Sequence, residues 1–96
     1  MPVKNADLYH VDGDHTREGA LHDMEICCAA MGPDSFIVVD DYDYIRPVMQ
    51  GVDDFLRLHP ELEGFFLATT RGDMIMYRKD SEIAKQKIQA LKDYLK

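Results

Sequence analysis

Two short apolar runs, Leu8-Tyr9-His10-Val11 and Phe36-Ile37-Val38-Val39, each end abruptly in aspartates, with a helix-length segment between them. The first run leads into Asp12-Gly13-Asp14-His15 and the second into Asp40-Asp41. Two strand-length runs joined by a helix read as a β-α-β unit, and such a connection leaves the strands parallel. In an open α/β sheet, ligands sit in the crevice beyond the carboxyl ends of parallel strands. Both acidic endings then face one crevice. That is the outline of a cation site or an acid/base site.

The remaining elements follow from periodicity and breakers. Gly13 supplies backbone freedom for a turn after the first strand. From Thr16 or Arg17 to Met31, the residues Ala20, Leu21, Met24, Cys27, Cys28 and Met31 keep helical spacing. Thr16 or Asp14 can cap the start of this helix, and Gly32-Pro33 stops it. The β-branched, wholly apolar run 36–39 predicts a strand buried on both faces. Pro47 suits the first turn of a second helix with Val48, Val52, Phe55 and Leu56 on its apolar face, ended by Pro60. Residues 65–70 and 74–77 read as two strands joined through Arg71-Gly72-Asp73, an antiparallel hairpin. A last helix from Ser81 to Lys96 carries Ile83, Ala84, Ile88, Leu91 and Leu95 on one stripe, with Ser81 or Asp80 as its cap. The expected fold is a single α/β domain over residues 1–96, ordered β-α-β-α-β-β-α around a four-stranded mixed sheet.

Charge and composition narrow the partners. A net charge of −7 argues against nucleic acid or an anionic membrane as the main ligand, since both reward clustered Lys and Arg. No apolar run has the length needed to span a bilayer, and the polar start Met1-Pro2-Val3-Lys4-Asn5 does not read as a signal peptide. Cys27 and Cys28 are adjacent on a helix and cannot sensibly pair with each other, so reduced thiols and a cytoplasmic setting are expected.

Other residues have ordinary explanations. His10, inside a strand, is expected to be a hydrogen-bonded core histidine. Asp14 and Glu18 are expected to cap and charge the first helical turn. Tyr42 and Tyr44 follow the aspartate pair and either wall an acceptor pocket or pack as surface aromatics. Met24, Met31, Met49, Met74 and Met76 belong to apolar faces. Arg71-Gly72-Asp73 is a hairpin loop, and Lys85, Lys87, Lys92 and Lys96 form the solvated face of the last helix.

The combination Asp12-Gly13-Asp14-His15, Glu18, Asp23, Asp40-Asp41-Tyr42 and Gly51-Val52-Asp53-Asp54-Phe55 resembles the C-terminal half of class I S-adenosylmethionine-dependent methyltransferases. More narrowly, it is similar to metal-dependent O-methyltransferases of the macrocin and catechol type. The resemblance runs over residues 6–78 and implies a half-Rossmann-like sheet. In the family order 3-2-1-4-5-7-6, this chain would hold strands four to seven. It also implies that Asp12, Asp40 and Asp41 bind a divalent cation, with Mg²⁺ suited to oxygen-only ligands. His15 stands where relatives place a general base. The half of the family that holds the methyl donor has no counterpart here. No Gly-x-Gly loop follows a strand, and Gly32-Pro33-Asp34 stands where relatives have Pro-Gly-Gly. S-adenosylmethionine is therefore expected only with a complementary N-terminal half.

Two further readings compete. One is a non-catalytic dimeric interaction module built on a degenerate methyltransferase fold. The other takes Asp12-x-Asp14-x-Thr16 as the first motif of haloacid-dehalogenase-like phosphatases; the stretch before Asp40 is too short for that family's intervening motifs. In each case the run Leu8 to Val11 would be an open apolar edge. A homodimer through that edge is expected, as one continuous eight-stranded sheet across a two-fold axis.

Overall fold

The computed structural model describes residues 4–12 and 15–95. The turn assigned to Gly13, the capping and charge roles of Asp14, the start Met1-Pro2-Val3 and the exposure of Lys96 lie outside the described residues. The elements are β1 (Leu8–Val11), α1 (Arg17–Ala30), β2 (Phe36–Val39), α2 (Arg46–Leu58), β3 (Leu62–Leu67), β4 (Asp73–Arg78) and α3 (Glu82–Tyr94). The sheet order is β1-β2-β4-β3, with β1 parallel to β2 and β4 antiparallel to both β2 and β3. This is the order that strands four to seven of the resembling family would take.

Local chemistry explains the boundaries. Thr16 caps α1 by accepting a hydrogen bond from the Gly19 amide, and Ser81 caps α3 by accepting one from Ala84. Pro47 sits in the first turn of α2, where a missing amide costs nothing. One face of the sheet is covered by α1 and α2. There Met24, Val52, Phe55, Ile37 and Met76 are completely buried with Tyr9, Val11, Val39 and Leu62. The other face is covered by α3 through Ala84 and Ile88, packed on Ile75 and Tyr77. The α1–α2 crossing is close because position 51 is glycine. A Cβ there would lie 2.8 Å from the Arg17 carbonyl oxygen. An ion pair from Arg17 to Asp54 at 2.5 Å ties the same two helices, and this guanidinium holds the Asp54 carboxyl down to about 2.

Several expectations are corrected. β3 starts and ends three residues earlier than its composition indicates. Gly64 is accommodated in the strand because a larger residue would press on Met74 Sδ, 2.9 Å from its would-be Cβ. Thr69 and Thr70 leave the ladder: the Thr69 amide bonds back to the Leu67 carbonyl, and its hydroxyl accepts from Gly72 N at 3.1 Å. β2 is fully buried only at Ile37 and Val39, since α3 covers Phe36 and Val38 in part. On α3, Ile83 and Leu95 are half exposed, so the buried stripe is narrower than the periodicity suggests. Lys92 is not simply solvated, because its ammonium lies over the Phe65 ring at 5.4 Å.

Candidate functional site

The parallel register, from Leu8 opposite Phe36 to Val11 opposite Val39, brings the carboxyl ends of β1 and β2 level. Asp12 and Asp40 follow at once, and the Asp40 amide donates to the Val11 carbonyl at 3.2 Å. β4 runs against β2 with Met74 opposite Val39, so its first residue, Asp73, begins where β2 stops. Asp12, Asp40, Asp41 and Asp73 line a cavity of about 400 Å³, together with Thr69, Thr70 and Arg71 from the β3–β4 connection.

Each carboxylate has a distinct setting. Asp41 has φ of 62°, a left-handed conformation that a short polar side chain tolerates better than most. Its side chain is only 6% exposed, with Arg71 Nη1 3.4 Å from Oδ1 and His15 Nε2 3.5 Å from Oδ2. Asp40 pairs with His10 Nε2 at 2.8 Å. Asp12 is exposed and bridges the group. Donor atoms of His10, Asp12 and Asp40 lie within 4.8 Å of one another, as do those of Asp12, His15 and Asp41.

The crowding leaves a mark on Asp73. Burial raises its pKa, and the hydrogen bond to Asp40 and the charges of Asp40 and Asp41 push it further up. A carboxyl whose folded pKa is raised keeps its proton after the unfolded chain has lost it. Its contribution to stability is therefore lost as pH rises from its ordinary 3.8 through the raised value. Asp73→Asn keeps a donor toward Asp40 without the charge. The variant should be more stable than the wild type at neutral pH, with a flatter urea-denaturation profile from mildly acid pH upward. A variant profile parallel to the wild type would contradict this reading.

One residue differs from its sequence reading, and for two tyrosines the structure selects between the alternatives left open. His10 is not a core histidine: Tyr9 and Val11 take the buried face of β1, and the alternation turns His10 outward beside Asp40. Tyr42 and Tyr44 do not line the acidic cavity. Tyr42 packs on Phe66 and donates to Asp53 at 3.0 Å; burial first, and then that hydrogen bond, push its pKa up to about 12. Tyr44 lies exposed under the Arg71 guanidinium, 5.0 Å from its ring centre. Asp73 and the Thr69–Thr70–Arg71 loop are members of the cavity that composition did not single out.

Comparison with known proteins agrees with this topology. A family model described as a methyltransferase domain matches residues 2–42. The fold superposes on the O-methyltransferase from Bacillus cereus, solved with SAH, with a TM-score of 0.63, covering 82% of this chain and 43% of that one at 18% identity. The chain has part of the class I methyltransferase fold. Two other structures with the methyltransferase fold are similar. One is an SAH-bound methyltransferase from Podospora anserina, at TM-score 0.55 and 19% identity over 77% of this chain and 42% of that one. The other is described as a candidate O-methyltransferase from Klebsiella pneumoniae, at TM-score 0.58 and 20% identity over 80% and 42%. The present chain thus spans less than half the length of each methyltransferase it superposes on. No curated protein sequence matches it. Among the described residues of this methyltransferase-fold chain, no helix is long and apolar enough to cross a membrane.

Proposed function

We propose that this chain is the acceptor-side half of a divalent-cation-assisted O-methyltransferase, inactive alone. Residues outside this sequence, on the same or another polypeptide, would hold S-adenosylmethionine. One observation carries the reading. Asp12, Asp40 and Asp41 surround a single cavity at the carboxyl ends of parallel β1 and β2. Their oxygen-only donor set fits a hard cation such as Mg²⁺. Burial first, and then Asp40 and Asp41, raise the Asp73 pKa, and a cation would offset the charge part of that effect. Asp12 is the most available ligand, because Arg71 and His15 already engage Asp41 and His10 pairs with Asp40. Asp12, Asp40 and Asp41 would hold such a cation, and the chemistry it would supply is a lowered pKa for an acceptor hydroxyl. His15, with its side chain 53% exposed and beside Asp41, is the group placed to take the proton. Arg71 orients Asp41, and the two threonines offer hydroxyls to a polar acceptor.

The free thiols of Cys27 and Cys28 suit a reducing, cytoplasmic setting. Isothermal titration of these 96 residues with S-adenosylmethionine should give no micromolar binding, and such binding would overturn the division into halves.

The open side of β1 is the place for pairing with a second chain. It is the end strand of the order β1-β2-β4-β3, and Leu8 is 56% exposed. Beside it runs an apolar groove of about 180 Å³ with Phe36, Val38, Ile75 and Leu91. A homodimer across this edge should appear by sedimentation at tens-of-micromolar concentration and dissociate in Leu8→Lys. A clean wild-type monomer would count against self-pairing and favour a complementary half as the partner.

A further inference from the structure

At the opposite end of the sheet, the last turn of α1 meets the connection from α2 to β3. Leu62, the first residue of β3, pairs with Arg78 at the far end of β4 from Asp73. Three unlike donors converge there. Cys28 Sγ lies 3.9 Å from His59 Nδ1, and the same nitrogen lies 3.2 Å from Glu61 Oε2. All three donor atoms fall within 4.8 Å of one another. We propose that Cys28, His59 and Glu61 form a second metal site, selective for a borderline-soft divalent ion such as Zn²⁺ and separate from the acidic cavity.

Geometry and chemistry support the same ion. A tetrahedral zinc with a Zn–S bond of about 2.3 Å and Zn–N and Zn–O bonds of about 2.0 Å has edges of roughly 3.5 Å for S···N and 3.3 Å for N···O. The two separations in the structure fall within a few tenths of an ångström of those edges. The other ring nitrogen, Nε2, is bound to Glu25. A carboxylate on that side fixes the tautomer and ring orientation of a metal-binding histidine and makes it a better ligand. The His59 ring is also held against Phe55, with centroids 4.5 Å apart. Thiolate, imidazole and carboxylate together favour zinc over Mg²⁺.

Without metal, protons occupy the same positions. Burial, and then the nearby Glu61 and Glu25, raise the Cys28 pKa. Burial favours a neutral His59 ring, but its hydrogen bonds to Glu25 and Glu61 outweigh that and raise its pKa. The metal displaces these protons and leaves a fourth position for water. Bound there, it would tie the end of α1 to the start of β3.

Cobalt substitution tests this in the full, reduced chain. Titration with Co²⁺ should produce a thiolate-to-cobalt charge-transfer band in the near ultraviolet and visible bands of tetrahedral intensity, both removed by Zn²⁺. Cys27→Ser and Asp12→Asn should retain the band. Cys28→Ser should lose it, and Glu61→Gln, an exposed change that leaves the packing alone, should weaken binding at least tenfold. Zinc at a hundredfold excess over its dissociation constant should raise the wild-type melting temperature by about 10 °C or more, and not that of Cys28→Ser. No thiolate band at millimolar Co²⁺, or a band that survives Cys28→Ser, would overturn the proposal. Neither outcome bears on the acidic cavity.

Discussion

Phe55→Ala should lower the unfolding free energy by about 3–5 kcal/mol, the usual cost of deleting a fully buried aromatic ring. A domain of this length has about 5–14 kcal/mol in total, so the variant should lose about a fifth or more of its stability. Phe55 is completely buried on α2, in the core that α1 and α2 form with the inner face of the sheet. It shares that core with Met24, Val52 and Leu62, which come from three separate elements. Urea denaturation with a shared slope measures the loss. Leu58→Ala, on the same helix but 62% exposed, is the matched control and should change stability by less than about 0.5 kcal/mol. A Phe55→Ala cost as small as the control's would mean that this core is not assembled as described.

Asp12→Asn should weaken Mg²⁺ binding at least tenfold while leaving the metal-free protein as stable as the wild type or more so. A dication and a carboxylate about 4 Å apart attract by roughly 2 kcal/mol even at the dielectric constant of water, and 1.4 kcal/mol is a factor of ten. Asp12 is exposed and shares the cavity with three other carboxyl groups. Removing its charge therefore relieves repulsion when no cation is present. Asp40→Asn should lose affinity similarly, but it also gives up the ion pair with His10 and should not gain stability. Opposite effects on binding and on stability in one variant mark a ligand rather than a structural aspartate. A destabilised Asp12→Asn chain with unchanged Mg²⁺ affinity would place Asp12 in a capping role.

Much of this was legible because local signals agreed with one another. Around α1, a threonine cap, helical spacing and a Gly-Pro stop all gave the same limits, and the structure runs from Arg17 to Ala30. The runs 8–11 and 36–39 are strands with those bounds. The misreadings arose where residue type and position conflict. The apolar character of its strand argues for an inward His10. Yet the period-two alternation, with Tyr9 and Val11 inward, already turns it toward solvent. Composition puts β3 late because Phe65 to Thr70 has stronger strand propensity than Leu62-Glu63-Gly64. Its true start depends on Gly64 fitting under Met74, a tertiary contact with no sequence signature. By composition Asp73 reads only as part of a tripeptide loop. Topology could have recovered it, since a strand antiparallel to β2 and next to it must begin where β2 ends. The Cys28–His59–Glu61 cluster has no sequence signature because Cys28 lies 31 residues from His59 and reaches the His59–Glu61 pair only when α1 packs on α2.

Paramagnetic broadening by Mn²⁺, which prefers oxygen ligands, tests the acidic crevice most directly. In amide NMR spectra of the whole chain, substoichiometric Mn²⁺ should first erase the resonances of Asp12, Asp40, Asp41 and Asp73, and excess Mg²⁺ should restore them. Broadening that starts elsewhere, or none at millimolar Mn²⁺, would contradict cation binding at the ends of β1 and β2.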